Sequence, residues 1–156
     1  MKYLAILSLL CFSSIYLDAQ NEAVGTWMAI DDKDGQPSSH IEIYEVEGKL
    51  HGKITKILKE SDVEGEILCE KCKGDKKDQP IVGMEIIWKM KPHKENEWKG
   101  GKIMDPESGK EYKCKIKLNK EDILEVRGYM GFSLIGRTQK WHRVNGEESI
   151  QSSNQR

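Results

Sequence analysis

The segment EYKCKIKL, residues 111–118, alternates strictly: Tyr112, Cys114, Ile116 and Leu118 fall on one side, Glu111, Lys113, Lys115 and Lys117 on the other. A period of two with one charged side marks a strand that packs one face on a core and leaves the other in water. Alternating or short apolar stretches recur at residues 24–31, 41–46, 50–58, 84–90, 98–104, 123–130 and 136–144. Together with 111–118 they predict eight strands, and no stretch beyond residue 19 shows the 3.6-residue period of an amphipathic helix.

Most joints between these strands are short and hold residues that turn the chain. VEGKL (46–50), DPESGK (105–110) and NKED (119–122) supply the Gly, Pro, Asn and Asp of hairpin turns, so strands adjacent in sequence are expected to pair as antiparallel neighbours. Eight such strands expose two unpaired edges unless the sheet closes. A closed eight-stranded barrel has an interior that side chains can fill or that holds one small ligand. The expected fold is therefore all-β, a single antiparallel eight-stranded barrel, with a two-sheet sandwich as the alternative. Two segments break the rhythm: a long charged connection at 59–81, where no regular element is expected, and a polar tail at 145–156 with too little apolar surface to order itself.

The first residues place the chain in a compartment. Lys2, an uncharged and mostly apolar run at 3–17, and then Asp18-Ala19-Gln20 read as a secretory leader, residues 1–19, cleaved after Ala19. A membrane span needs roughly 20 apolar residues, and this shorter run is broken by Ser8, Ser13 and Ser14. The barrel domain is expected over 20–144, in the periplasm or secreted, with no membrane span after leader removal. Lys and Arg total 25 against 26 Asp and Glu, a formal net charge of −1. Such an even mixture points away from nucleic acid and from a membrane surface. No Gly-rich phosphate loop, His-Glu-x-x-His or Gly-x-Ser-x-Gly is present, so no catalytic residue and no cofactor is assigned.

The stretch LCEKCKGDKKDQP (68–80) holds two of the four cysteines. Zinc would need two ligands beyond a Cys-x-x-Cys, and Cys114, His40, His51, His93 and His142 repeat no ligand spacing. A redox dithiol sets its first Cys at a helix N-terminus, whereas here a Gly and a Pro follow. In an oxidising compartment the plain reading is a Cys69–Cys72 disulfide. Chain entropy favours a bridge to Cys114, on the order of 4 rather than 2 kcal/mol, but Cys114 shares the apolar side of its strand with Tyr112 and Ile116 and is expected to be a buried free thiol. A metal or thiol-redox role for Cys69 and Cys72 stays as an alternative.

VGTW (24–27), at the start of the first strand, resembles the Gly-x-Trp opening of lipocalins and related calycin barrels. In those barrels the Trp plugs one end beneath a basic residue of the last strand; the matching pair here is Trp27 and Arg143. Read with CEKC, PIVGM, EWKGGKIMDPESGKEYKC and LEVRGYMGFSLIGRTQKW, the chain resembles the bacterial family of exported proteins known as domain of unknown function 2147 (DUF2147), over residues 24–144. The resemblance implies a calycin-like barrel and export, and brings no catalytic residues and no ligand.

Candidate ligand contacts are Trp88, in line with Met84, Ile86 and Met90, together with Tyr112, Arg127, Tyr129 and Trp141. In ILEVRGYM the favoured register turns Leu124, Val126 and Met130 inward and leaves Glu125, Arg127 and Tyr129 as a solvated cross-strand ladder. The opposite register puts Arg127 and Tyr129 inside, where the Arg would meet a ligand carboxylate. The leading functional reading is an exported barrel that binds a small, mainly apolar molecule without catalysis. The alternatives are a structural or stress-related envelope protein acting through protein contacts, and a zinc or thiol protein.

Overall fold

A computed structural model describes residues 22–59, 65–132 and 134–144. The leader with its cleavage site and the polar tail lie outside the described residues. Eight strands follow one another: β1 (Gly25–Ile30), β2 (Pro37–Val46), β3 (Lys49–Ile57), β4 (Glu85–Lys94), β5 (Glu97–Asp105), β6 (Lys110–Leu118), β7 (Ile123–Tyr129) and β8 (Gly136–Arg143). Each pairs antiparallel with the next, and β8 returns to β1, closing the barrel. The tight joints are those the turn residues predicted. Glu47 and Gly48 both take positive φ (52° and 71°) between β2 and β3, the geometry whose twist matches the flanking strands.

Inward side chains form one core that includes Ile41, Ile43, Leu50, Ile87, Ile116 and Leu124. On β6, Cys114, Ile116 and Leu118 are buried while the intervening lysines face outward, as the alternation required. β2 starts four residues before the expected stretch, and β4 runs on through Pro92 to Lys94. Long strands are what a tilted, staggered barrel wall requires.

The connection before β4 departs from expectation. It is not irregular: Leu68 pairs with Pro80, Cys69 N–H donates to Gln79 O at 2.9 Å, and Ile81 N–H donates to Ile67 O at 2.9 Å. A 3-10 turn at Gly74–Lys76 caps this small hairpin. The Cys69 and Cys72 sulfurs are bonded at 2.04 Å, and both residues are buried. The bridge packs on the β5–β6 corner, with Cys72 Sγ 3.6 Å from Met104 Sδ and Cys69 Sγ 3.3 Å from Pro106 O. Met104 has the outward parity of Lys102, so the disulfide covers the outside of the wall, while Cys114 lies within it.

Burial moves the Cys114 thiol up from an ordinary 9.0 to about 12, since the low-dielectric core disfavours a thiolate. Two outcomes follow. In the chain without residues 1–19, a chromogenic thiol reagent should find no reactive thiol in the native protein and one, Cys114, after denaturation without reductant. Below pH 9 the thiol is neutral folded and unfolded alike; between pH 9 and about 12 only the unfolded thiol ionises, so stability falls as pH rises. That component of the alkaline loss should be missing from Cys114→Ala, compared by denaturant melts at pH 8 and 10.

Candidate functional site

The barrel has a closed end and an open end. At the closed end Trp27 of β1 is fully buried, and its Nε1–H donates to Ala23 O at 2.9 Å. Arg143 is its cross-strand partner on β8, with the guanidinium 4.2 Å from the ring centroid, a cation–π contact. The same guanidinium donates to Asp122 through Nε at 2.7 Å and Nη2 at 2.9 Å, to Val24 O at 3.2 Å and to Glu22 O at 2.6 Å. The Gly of the Gly-x-Trp start has a steric role here: a Cβ on Gly25 would stand 2.9 Å from Arg143 Nη1. The two residues expected to close the barrel thus meet across one strand pair.

Between this plug and the open end lies a cavity of about 550 Å³, within the range of small-molecule sites. Its walls are Ile41, Ile54, Ile86, Ile103, Val126 and Trp141, with Tyr112, Ser38, Ser39 and Gln139 as polar points. Trp141 Nε1–H donates to Gln139 Oε1 at 3.2 Å, so the indole lies against apolar walls with its polar edge satisfied.

Charge is confined to the rim, where it is paired. Lys59 Nζ bonds Asp31 and also Asp34 (3.1 Å), Lys33 bonds Glu107 (3.0 Å), and Arg137 bonds Asp32. Asp31 is held below the usual carboxylate range, first by the Lys59 hydrogen bond and then by the Lys33 backbone N–H. Asp34 is lowered by the Gln36 N–H and by Lys59. Lys59 is raised by Asp31 and Asp34, and Lys33 by Glu107. These bonds tie the β1–β2 turn to the chain after β3, to the β5–β6 turn and to β8. They lace the mouth without placing a charge among the isoleucines.

Of the residues expected to touch a ligand, Tyr112, Tyr129 and Trp141 border this cavity; Trp88 and Arg127 do not. Trp88 was aligned with Ile86 and Met90 on an uninterrupted alternation, but β4 holds an extra residue at two places: Leu50 pairs with Met90, Gly52 with Ile87, and Lys53 with Glu85. Ile86 and Ile87 are therefore both buried, and Trp88 turns outward opposite Lys102. There Lys76 Nζ covers its ring at 4.2 Å and donates to Glu85 O at 2.6 Å. Burial lowers the Lys76 pKa.

Arg127 stands on the outer face in the favoured register, between Lys115 and Thr138, and donates to Thr138 Oγ1 at 2.9 Å. Leu124 and Val126 are inward, but Met130 lies past the end of β7 and is exposed at the rim. Missed in the sequence were Ile103 as wall and the Asp31–Lys59 lacing. The Asp-rich DDKDG (31–35) signalled only a turn.

Comparison with known proteins follows the same lines. The family described as "Uncharacterized protein conserved in bacteria (DUF2147)" matches residues 25–143. Among solved structures, a Helicobacter pylori protein described as belonging to the lipocalin family superposes with a TM-score of 0.72 at 18% identity, covering 85% of this chain and 90% of that one. At that identity the likeness is one of fold. No curated protein matches in sequence.

Proposed function

The chain belongs to the DUF2147 family, and from that premise we propose that it is an exported carrier that binds one small, mainly apolar molecule inside its barrel and does not transform it. The observation that carries this reading is the apolar cavity of about 550 Å³, plugged at one end by Trp27 under Arg143 and open at the other. Apolar walls with few polar points favour a hydrophobic ligand oriented by hydroxyl and amide groups.

The rim groups described do not suit acid–base chemistry. General acid–base work needs groups whose pKa lies near the working pH. The rim carboxylates Asp31 and Asp34 are lowered and the amines Lys33 and Lys59 raised, so each keeps its charge at neutral pH. Export is supported by the leader-like residues 1–19 and by the disulfide, which suits an oxidising compartment. The exposed hairpin after β7 is what an envelope protein acting through protein contacts would need, but the unfilled interior puts ligand binding first.

A fluorescent fatty-acid probe should bind saturably with one site per chain, and native mass spectrometry of protein from its own envelope should show a co-purifying small molecule. Ile57→Trp, placing bulk beside the mouth, should weaken probe binding about tenfold or more, equivalent to about 1.4 kcal/mol, without lowering the melting temperature. Absence of saturable binding to the parent chain would overturn the proposal.

A further inference from the structure

The hydroxyls of Ser39 and Tyr112 and the amide nitrogen of Gln139 belong to residues that line the cavity, and among the described residues they have no hydrogen-bond partner. No sealed side-chain polar atom lacks a partner among those residues, so these groups are open to the cavity space. The Gln139 amide is oriented by chemistry. An indole N–H can only donate, so Trp141 takes the amide oxygen at 3.2 Å and leaves the two amide N–H donors for something else. Ser38, next along β2, is spent, since its hydroxyl donates to Ala29 O at 3.1 Å.

Tyr112 and Gln139 flank a gap in the wall. Gly128 of β7 pairs with Cys114 on one side and with Arg137 on the other. Tyr112 is one inward step from Cys114 along β6, and Gln139 one inward step from Arg137 along β8. A Cβ on Gly128 would lie 3.3 Å from Ile103 Cγ2 and 3.5 Å from Tyr112 Cβ, so the missing side chain lets the tyrosine settle against the wall and leaves nothing between the two donors.

Charge narrows the ligand further. A carboxylate entering an apolar interior needs a cation to offset its lost hydration. Each cation of the lining already holds a carboxylate: Lys59 bonds Asp31 and Asp34, Lys33 bonds Glu107, and Arg137 bonds Asp32. Asp105 adds a negative charge to the same lining, held by Glu107 N–H at 3.0 Å and the Ser108 hydroxyl at 2.6 Å. Arg127, which would have met a carboxylate inside, stands on the outer face with Thr138.

We propose that the cavity selects an uncharged acyl compound, an ester or an amide, over the free fatty acid of the same chain. The carbonyl accepts from Tyr112 and Gln139 across Gly128, and the chain lies among the isoleucines. This deepens the carrier reading and rests on the cavity being a ligand site. The acid still enters, more weakly, because its chain gains the same apolar burial.

The experiment is displacement of N-phenylnaphthylamine, an uncharged apolar dye without an acceptor oxygen, by lauramide, methyl laurate and lauric acid at neutral pH. Lauramide and lauric acid match in size and differ in charge. The amide and the ester should displace the dye at about tenfold lower concentration than the acid. Tyr112→Phe keeps the ring and should weaken the amide and the ester about three- to tenfold relative to the dye, at an unchanged melting temperature. Asp32→Asn frees Arg137 and should narrow the gap between acid and amide about threefold or more. An acid that matches the amide on the parent chain, an amide unaffected by Tyr112→Phe, or a gap unmoved by Asp32→Asn would overturn this inference and leave the carrier reading standing. No saturable dye binding and no binding of any of the acyl compounds would overturn both.

Discussion

Trp27→Ala should lower the free energy of unfolding by about 3 to 5 kcal/mol, the range for truncating a fully buried aromatic residue. The indole is wholly excluded from solvent, and its loss removes three things at one point. The apolar ring leaves a void at the closed end. The Nε1–H bond to Ala23 O disappears, and Arg143 loses the ring face it covers while keeping its bonds to Asp122. Relaxation cannot close the gap cheaply, because Trp27 sits on β1 where the last strand pairs to complete the barrel. Denaturant melts should show a lower midpoint with an unchanged slope. Trp88→Ala supplies the contrast: its ring is only half-buried on the outer wall, and its loss should cost no more than about 2 kcal/mol. Equal losses at the two positions would mean that the plug does not hold the barrel shut.

Gly109→Ala should cost about 2 to 4 kcal/mol, although it adds one methyl group at a turn. Gly109 has φ +66°, and a Cβ there would stand 1.9 Å from Lys71 O and 2.8 Å from Cys72 N. Left-handed backbone costs a residue with a Cβ about 1 to 2 kcal/mol, and the collision adds to this because the obstacle is backbone. Lys71 lies between two bonded cysteines and cannot swing aside alone. Gly48→Ala isolates the collision, since Gly48 has φ +71° with nothing within 4 Å and should show the backbone cost alone. A double-mutant cycle should also be non-additive: with Cys69→Ser and Cys72→Ser freeing the loop, the Gly109→Ala penalty should shrink. A penalty equal to that of Gly48→Ala would mean the disulfide loop is not docked on the β5–β6 turn.

That docking was not legible in the chain. The DPESGK turn and the Cys-x-x-Cys are each readable, yet they are some 35 residues apart, and their meeting depends on the connection folding back through Leu68 and Pro80. The plug was legible through the resemblance of VGTW to the Gly-x-Trp opening of known barrels, which implied Trp27 beneath Arg143, and closure does pair the first strand with the last. Two of the five expected ligand contacts followed from parity, as Tyr112 and Trp141 keep the alternation of long regular strands. Trp88 did not, because β4 gains a residue twice along its ladder. Each insertion reverses the sides of everything beyond it.

What the sequence by itself determined is therefore what periodicity and turn chemistry encode: eight strands, their antiparallel order, a sheet that closes or folds into a sandwich, and the pairing of neighbouring cysteines, with the plug residues implied by resemblance. Apart from the plug, all of these rest on interactions within a strand or across a turn. The tertiary structure alone decided the side taken by Trp88 and the lacing of the mouth by Asp31 with Lys59 and Asp32 with Arg137. Those depend on which residues of distant strands lie opposite one another, and bulges set that register through packing and hydrogen bonds that no local pattern records.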